Sequence, residues 1–122
     1  MANNPNQLVV LTRARALAVH VHRAVERRER LIGKASPGLR NQMLRAAMSI
    51  PLHIAEGAGK DTRVDFARFL GNAFGSANEV EQQLPLAPAL RVFDRELDPL
   101  IDQCREIRML LYGLRQRLQN PD

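Results

Sequence analysis

Residues 42–84 read QMLRAAMSIPLHIAEGAGKDTRVDFARFLGNAFGSANEVEQQL, and this stretch decides the fold. On both sides of the turn at residues 57–60, apolar residues recur three and four positions apart, which is the spacing of amphipathic α-helices. Gly57 and Gly59 are expected to end the first of these helices in a left-handed or open conformation. Thr62 followed by Asp65 is a shortened capping box, which predicts that the next helix starts there.

Similar apolar stripes run through the rest of the chain and predict helices over about residues 7–30, 37–58, 62–90 and 95–118. Residues 1–6 are expected to form a disordered tail and residues 7–120 a single domain. Pro85 and Pro88 predict a distortion near the end of the third helix. Short connections favour antiparallel neighbours, so the predicted fold is all-α, an antiparallel up-down-up-down four-helix bundle. The predicted core stripes comprise Val10, Ala14, Leu17, Val21 and Ala24; Leu39, Met43, Ala46, Ile50 and Ile54; Phe66, Leu70, Ala73, Ala77, Val80, Leu84 and Ala87; and Leu97, Leu100, Cys104, Ile107, Leu111, Leu114 and Leu118.

Composition agrees with a cytoplasmic helical domain. Of the 122 residues, 45% are hydrophobic but only 4% aromatic, so the core has to be built from aliphatic side chains. The single cysteine, Cys104, cannot form an internal disulfide, which fits a reducing compartment. The apolar run at residues 8–11 is interrupted by Arg13 and Arg15, so it is too short for a signal peptide or a membrane span.

Positive charge is concentrated in the first half of the chain. Residues 1–60 hold ten basic and three acidic residues, a balance of +7, whereas residues 61–122 have a balance of −2. Sixteen of the eighteen basic residues are arginine, which favours bidentate contact with phosphate or carboxylate. This pattern predicts RNA or DNA binding; the alternative is a solvated helix end paired locally with Glu26 and Glu29. The candidate nucleic-acid-binding residues are Arg23, Arg27, Arg28, Arg30 and Lys34, extended by Arg13, Arg40 and Arg45.

No pattern in the sequence predicts catalysis, a cofactor or a metal site. A di-metal bundle needs Glu-x-x-His on two helices, but this chain offers only the reversed order, His53 to Glu56. Nucleophile and nucleotide-loop motifs are absent from the sequence. The glycines of residues 57–60 are interpreted as a turn rather than a phosphate loop, and Cys104 as a buried apolar residue.

Two further features of the sequence are a glutamate at the edge of the core and small residues on the third helix. Glu81 lies between core positions of the third helix, so it is expected to pair with Arg45, Arg108 or Arg115, unless its long side chain reaches water. It belongs to a candidate structural polar network. The network members are Arg45, Glu56, Arg68, Glu79 and Glu81, with Asn72 close by.

The second helix carries a second apolar face, and the third carries small residues four positions apart. Two glycines inside a helix cost about 1 kcal/mol each, so a close helix contact is expected to offset them. These faces predict a homo-oligomer; the alternative is that the glycines are tolerated beside a tight contact within one chain. The candidate oligomer interface consists of Leu44, Met48, Leu52, Ala67, Gly71 and Gly75.

The segment S-I-P-x-x-I-A-E-G-x-G-[KR] at residues 49–60 resembles the signature of the four-helix-bundle proteins encoded in 23S rRNA intervening sequences. That family is related to the accessory proteins of diversity-generating retroelements. The resemblance runs from about residue 8 to residue 118, and Pro85 and Pro88 depart from the pattern. The matching residues are Arg45, Ala46, Ala47, Ser49, Ile50, Pro51, Ile54, Ala55, Glu56, Gly57 and Gly59, then Phe66, Arg68, Phe69, Leu70, Ala73, Gly75, Ser76, Glu79, Glu81 and Leu84.

The resemblance implies assembly into a ring of five subunits. For the retroelement relatives it also implies a positively charged ring that binds nucleic acid and serves a reverse transcriptase. Two hypotheses follow for this chain. The first is a non-enzymatic accessory module that binds RNA or DNA through phosphate. The second is a protein-protein interaction scaffold whose arginines meet acidic residues, and it has no nucleic-acid role.

Overall fold

The computed structural model describes residues 5–28, 36–89 and 97–120. Four long α-helices make up most of these residues, with a short fifth helix between the last two, and no strand occurs among them. The helices are α1 (Pro5–Arg27), α2 (Pro37–Ala58), α3 (Arg63–Gln83), α4 (Leu86–Ala89) and α5 (Asp98–Gln119).

Each long helix packs against two neighbours, α1 and α3 each lying between α2 and α5. The hydroxyl of Ser49 on α2 donates to Ser76 on α3, whereas His53, one turn further along α2, lies beside Phe69, which comes earlier in α3. The two helices therefore run in opposite directions. The same reversal relates α1 to α5 and α3 to α5. The prediction of an all-α, antiparallel four-helix bundle is confirmed.

The predicted stripes form the core. All their members are buried except Leu118, which is half-buried and packs against the same cluster. Regular spacing of three and four residues places these side chains on one side of each helix, so the four stripes meet along the bundle axis.

The limits of α1 differ slightly from the prediction. The helix begins at Pro5, so residues 5 and 6 are helical rather than part of a tail. Proline is well accepted in a first turn, because the N–H it lacks has no partner within the helix there. At the other end, α1 stops at Arg27 and Arg28 lies in a turn. The predicted last residues of this helix, 29 and 30, fall outside the described ranges.

The third helix is shorter than the predicted span to residue 90. It ends at Gln83, and Leu84 and Pro85 form a turn before α4. Pro85 cannot donate to the carbonyl of Glu81, and its ring would clash with that carbonyl in a continuing helix. A single helix through residue 90 was therefore wrong, although the distortion expected at Pro85 is present.

The turn between α2 and α3 does not use a left-handed glycine. Gly57 lies inside α2, and Gly59 caps the helix with φ −86° and ψ −1°. Of the left-handed or open conformation expected for Gly57 and Gly59, the left-handed form does not occur, because the chain leaves α2 through a right-handed turn in which the Gly59 N–H donates to the carbonyl of Glu56. At the start of α3, the Thr62 hydroxyl accepts the backbone N–H of Asp65 at 3.1 Å, which confirms the predicted cap.

Candidate nucleic-acid and assembly surfaces

A basic groove lies between the C-terminal half of α1 and the start of α5, and we call it the α1–α5 groove. It has a volume of about 270 Å³. Arg23 and Arg27 are exposed, and Arg28 is half-buried with its guanidinium 3.5 Å from the carbonyl of Ala24. No acidic side chain is among the described residues that line it, so the charged groups of the described lining are all arginines. The lining residues are His20, Arg23, Ala24, Arg27, Arg28, Leu97, Leu100 and Gln103.

The other candidate nucleic-acid-binding residues lie elsewhere. Arg13 forms an ion pair with Glu106 of α5, which neutralises its charge locally. Arg40 lies between α1 and α2, where its Nη1 donates to Asn41 at 3.0 Å. Arg45 is exposed on α2. The predicted set is therefore divided among different sides of the bundle, and Arg30 and Lys34 lie outside the described residues.

The second apolar face of α2 remains largely uncovered in the single chain. Met48 and Leu52 are 47% and 56% exposed, and Leu44 is half-buried at the edge of the core. Ala55 is also exposed and continues the stripe by almost one turn. We refer to Leu44, Met48, Leu52 and Ala55 as the outer face of α2.

The small residues of α3 do not all have the same surroundings. Ala67 is buried, whereas Gly75 is exposed, and a Cβ atom there would meet nothing within 4 Å. At Gly71 a Cβ atom would lie 3.2 Å from the Arg115 guanidinium carbon, so this guanidinium packs directly on the α3 backbone. Only Gly71 therefore supports a close contact within the chain.

A cleft of about 600 Å³ opens beside Gly71, between the start of α3 and the end of α5. We call it the α3–α5 cleft. Its walls carry three arginines, and its floor includes apolar and small residues, so it can accommodate a group that is partly apolar and negatively charged. The lining residues are Arg63, Val64, Ala67, Arg68, Gly71, Asn72, Arg115, Leu118 and Gln119.

Glu81 is buried, with 8% relative exposure, and forms a bidentate ion pair with α5. Arg108 Nε donates to Oε1 at 2.8 Å and Nη2 to Oε2 at 3.1 Å. Arg105 Nε adds a longer contact of 3.4 Å. Of the three partners predicted from the sequence, Arg108 makes the contact, and Arg45 and Arg115 do not. Arg105 was missed, although it follows Cys104 of the core stripe just as Arg108 follows Ile107.

The remaining polar residues do not join Glu81 in one network within the chain. Glu79 accepts a hydrogen bond from Gln83 at 3.2 Å, and Arg68 lies 3.5 Å from Asp65 and 4.8 Å from the Phe69 ring centre. Arg45 and Glu56 are exposed, and neither makes a hydrogen bond or ion pair with the described residues. Among the described residues, Glu81 is therefore the only member of the predicted network that pairs with another helix.

The signature segment has a structural role between α2 and α3. A Cβ atom on Gly57 would lie 2.7 Å from Phe69 Cβ and 2.9 Å from Phe66 Cδ1, so any side chain there would push the helices apart. Ser49 donates to Ser76 Oγ at 2.7 Å and is close to the carbonyl of Ala46 as well. These contacts explain a glycine and a serine at those positions without any catalytic role.

The thiol of Cys104 is not suited to nucleophilic chemistry. Burial raises its pKa from 9.0 to about 12; the Glu81 carboxylate also raises it and the Arg108 guanidinium opposes the change. The reactive thiolate is therefore scarce at neutral pH.

Across residues 5–28, 36–89 and 97–120, no three His, Cys, Asp or Glu side chains converge as a metal site would require. None of the described helices has the length and apolar character needed to cross a bilayer.

Sequence reasoning also missed the basic walls of the α3–α5 cleft. A usable signal was present, because Arg63, Ala67 and Gly71 are four positions apart and must share one side of α3. Arg115 was considered only as a partner for Glu81. Its contact with Gly71 depends on the relative positions of two helices, which spacing within one helix does not give.

Comparison with known proteins identifies the family to which the chain belongs. A model of the family described as 23S rRNA-intervening sequence protein matches residues 6–113. The chain is also similar to the crystal structure of a Bacteroides thetaiotaomicron protein of unknown function from the S23 ribosomal protein family, with 26% sequence identity and a TM-score of 0.79, over 91% of this chain and 98% of that one. No curated protein matches it. Because the family model spans most of its length, this chain belongs to the 23S rRNA-intervening sequence protein family.

Proposed function

We propose that the protein is a non-enzymatic, cytoplasmic, homo-oligomeric accessory module that binds RNA or DNA without sequence preference. The observation that carries this proposal is the α1–α5 groove. Arg23 and Arg27 project there with no carboxylate of the described residues paired to them, whereas Arg13, Arg105 and Arg108 are all engaged by acidic side chains. Unpaired guanidinium groups in a groove whose described lining holds no acidic residue favour phosphate.

The chemistry of the groove favours backbone contact over base recognition. Among the described residues that line it, His20 is the only one with an aromatic ring and none is Phe, Tyr or Trp, so they offer bases little surface on which to stack. Phosphate contacts position a nucleic acid but carry no sequence information directly. Binding is therefore expected to be sequence-tolerant and to weaken steeply as salt increases.

Assembly is the second part of the proposal. The exposed Met48 and Leu52 lie on α2, away from the α1–α5 groove, so a subunit contact there leaves the groove accessible. A pentamer, which the family resemblance implies, would present five grooves on one particle. Simultaneous contacts along one nucleic acid would then raise the apparent affinity well above that of a single groove.

Fluorescence anisotropy tests the binding, using a labelled structured RNA and a duplex DNA in a salt titration. Arg27→Glu is compared with Arg15→Glu, since both arginines are exposed on α1 but only Arg27 lines the groove. Both substitutions change the net charge equally, so nonspecific field effects are matched. We expect Arg27→Glu to weaken binding and to reduce the slope of log K against log salt by about 1 more than the control does. Equal effects of the two substitutions, or no binding by the native protein in low salt, would disprove the proposed groove.

Light scattering on the native protein tests the assembly. We expect a mass near five times 13.7 kDa at micromolar concentration, and a monomer would overturn this part of the proposal. Leu52→Asp is expected to dissociate the particle, because it places a charge in a buried apolar contact.

The alternative is a scaffold that binds only proteins, such as a reverse transcriptase. The outer face of α2 supports it, because an apolar helix face is as suitable for a partner protein as for a second copy. Absence of nucleic-acid binding together with native assembly would favour the scaffold.

A further inference from the structure

We propose that the α3–α5 cleft receives the outer face of α2 from a second copy of this chain, with Glu56 of that copy paired to Arg63 and Arg115. The inference rests on the proposed self-assembly and specifies the surface that would receive α2. Its grounds are the unpaired Glu56, the unpaired Arg63 and Arg115 in the cleft, and an exposed apolar surface on each side.

Glu56 extends the exposed apolar stripe of α2. Met48, Leu52 and Glu56 are four positions apart, so they lie on one side of the helix over about 12 Å. Met48 and Leu52 are about half exposed, and the Glu56 carboxylate has no partner among the described residues. This face therefore presents two apolar side chains followed by one negative charge.

The α3–α5 cleft presents a complementary order. Arg63, Ala67 and Gly71 are also four positions apart, so its α3 wall likewise extends over about 12 Å. Ala67 is buried and Arg115 covers Gly71, so the exposed Val64 and the half-buried Leu118 form the apolar surface that would lie against Met48 and Leu52. The incoming Glu56 would then reach the arginines at the open side.

The arginines of the cleft are available for this contact. Arg63 and Arg115 form no ion pair with the described residues, whereas Arg68 already contacts Asp65 and the Phe69 ring. The Arg115 guanidinium lies beside Gly71 on the wall of the cleft. A carboxylate that meets unpaired guanidinium groups gains charge-assisted hydrogen bonds.

The two surfaces occupy different parts of one subunit, so each copy offers both at once. A contact of this kind is heterologous, and it gives a closed ring when the rotation between subunits closes.

A charge-swap experiment tests the pairing. Glu56→Arg and Arg115→Glu are each expected to raise the concentration of half-assembly at least about tenfold, because each places like charges together. The double variant carrying both substitutions restores opposite charges and is expected to recover the native mass. Arg15→Glu is the control for Arg115→Glu, since both lower the net charge by two at an exposed helix position, and circular dichroism checks that every variant stays helical.

The outcomes separate this inference from the proposed assembly. A native protein that is monomeric contradicts both. Native assembly that both single substitutions leave unchanged contradicts the Glu56 pairing alone, as does a double variant that fails to recover. If Leu52→Asp dissociates the particle while the charge substitutions do not, α2 assembles against some other surface.

Cysteine cross-linking gives a second readout that does not depend on stability. A chain carrying Glu56→Cys and Arg63→Cys is treated with a short bis-maleimide, and a chain carrying Glu56→Cys and Arg15→Cys serves as the control. We expect covalent multimers only from the first. Cys104 is buried and should not contribute. Equal cross-linking of both chains, or none in the first, would overturn the proposed contact.

Discussion

The two helices that pack on α3 are held to it by different physical means. Against α2, a missing side chain at Gly57 lets Phe66 and Phe69 approach the helix backbone, and one hydroxyl pair adds a hydrogen bond. Against α5, a buried carboxylate is neutralised by Arg108 and, less closely, by Arg105. The α2–α3 contact depends on the close fit of side chains, and the α3–α5 contact depends on the pairing of charges.

The difference teaches where each contact is vulnerable. A shape-dependent contact tolerates changes of charge and salt but not of volume. A buried ion pair tolerates little loss of either partner, because the remaining charge stays in a poorly solvated site. Substitutions that change either the volume at the α2–α3 contact or the charge at the α3–α5 contact therefore test the two contacts separately.

The largest effect is expected at the charged contact. Arg108→Met removes both hydrogen bonds to Glu81 and leaves the carboxylate with one long contact. We expect the free energy of unfolding to fall by about 3 kcal/mol in urea denaturation. Arg105→Met is the matched change at a side chain that is 60% exposed, and it should cost less than about 1 kcal/mol.

The neutral variant Glu81→Gln completes this series. It keeps the size of the side chain but removes the charge, so we expect a milder loss than for Arg108→Met. Equal, small effects of all three substitutions would mean that Glu81 is solvated and that the charged contact resembles an ordinary surface pair.

A smaller loss is expected at the shape-dependent contact. Gly57→Ala places a Cβ atom 2.7 Å from Phe69 Cβ, and neither group can rotate away. Overpacking of this kind should lower the free energy of unfolding by about 1–3 kcal/mol. Gly38→Ala is the control, because a Cβ atom there meets nothing within 4 Å, and it should leave stability unchanged or slightly improved. Equal free energies of unfolding for Gly57→Ala and Gly38→Ala would show that α2 and α3 can move apart at Gly57 without loss of stability.

The hydrogen bond between Ser49 and Ser76 should contribute less to stability than the close packing at Gly57. Ser49→Ala removes the hydrogen bond to Ser76 and is expected to cost about 1 kcal/mol. A double-mutant cycle with Ser76→Ala isolates the pair, and the double variant should lose less than the sum of the two single variants. Strict additivity would show that the two hydroxyls are bonded elsewhere.

The effect that is smallest near neutral pH concerns Cys104, beside the charged contact. Its raised pKa predicts that alkylation at pH 8 is very slow in the folded protein and fast after denaturation. Because the folded pKa of about 12 lies above the ordinary value of 9.0, the unfolded chain loses its proton first. The free energy of unfolding should therefore decrease as the pH rises from about 9 towards 12. Cys104→Ala should remove this part of the alkaline dependence, and rapid labelling of the folded protein would contradict the buried environment.

Residue spacing was sufficient to predict the four core stripes, because burial on a helix depends on local periodicity. The cap at Thr62 and the interruption at Pro85 were predictable for the same reason. Spacing could not predict which arginine meets Glu81. That choice depends on the axial position of α5 relative to α3, and Arg108 and Arg115 differ by about two turns.

The candidate site was less predictable than the fold. Arg13 and Arg27 share the same sequence context of basic residues on α1, yet Arg13 pairs with Glu106 and Arg27 lines the α1–α5 groove. The difference comes from the opposite helix, which charge counting along one segment does not include. The α3–α5 cleft could likewise not be predicted from the sequence, since it is formed by residues about 50 positions apart in the chain.

The tight fit at Gly57 also bears on the order in which the chain folds. Only residues 59–62 connect α2 to α3, so closing this hairpin costs less entropy than bringing α5, which starts at Asp98, back onto α3. We expect the hairpin to be formed early, with Gly57→Ala mainly slowing folding and Arg108→Met mainly accelerating unfolding, as stopped-flow kinetics would show. On that view the glycine of the signature segment shapes the folding nucleus, and the ion pair of α5 limits how quickly the finished bundle comes apart.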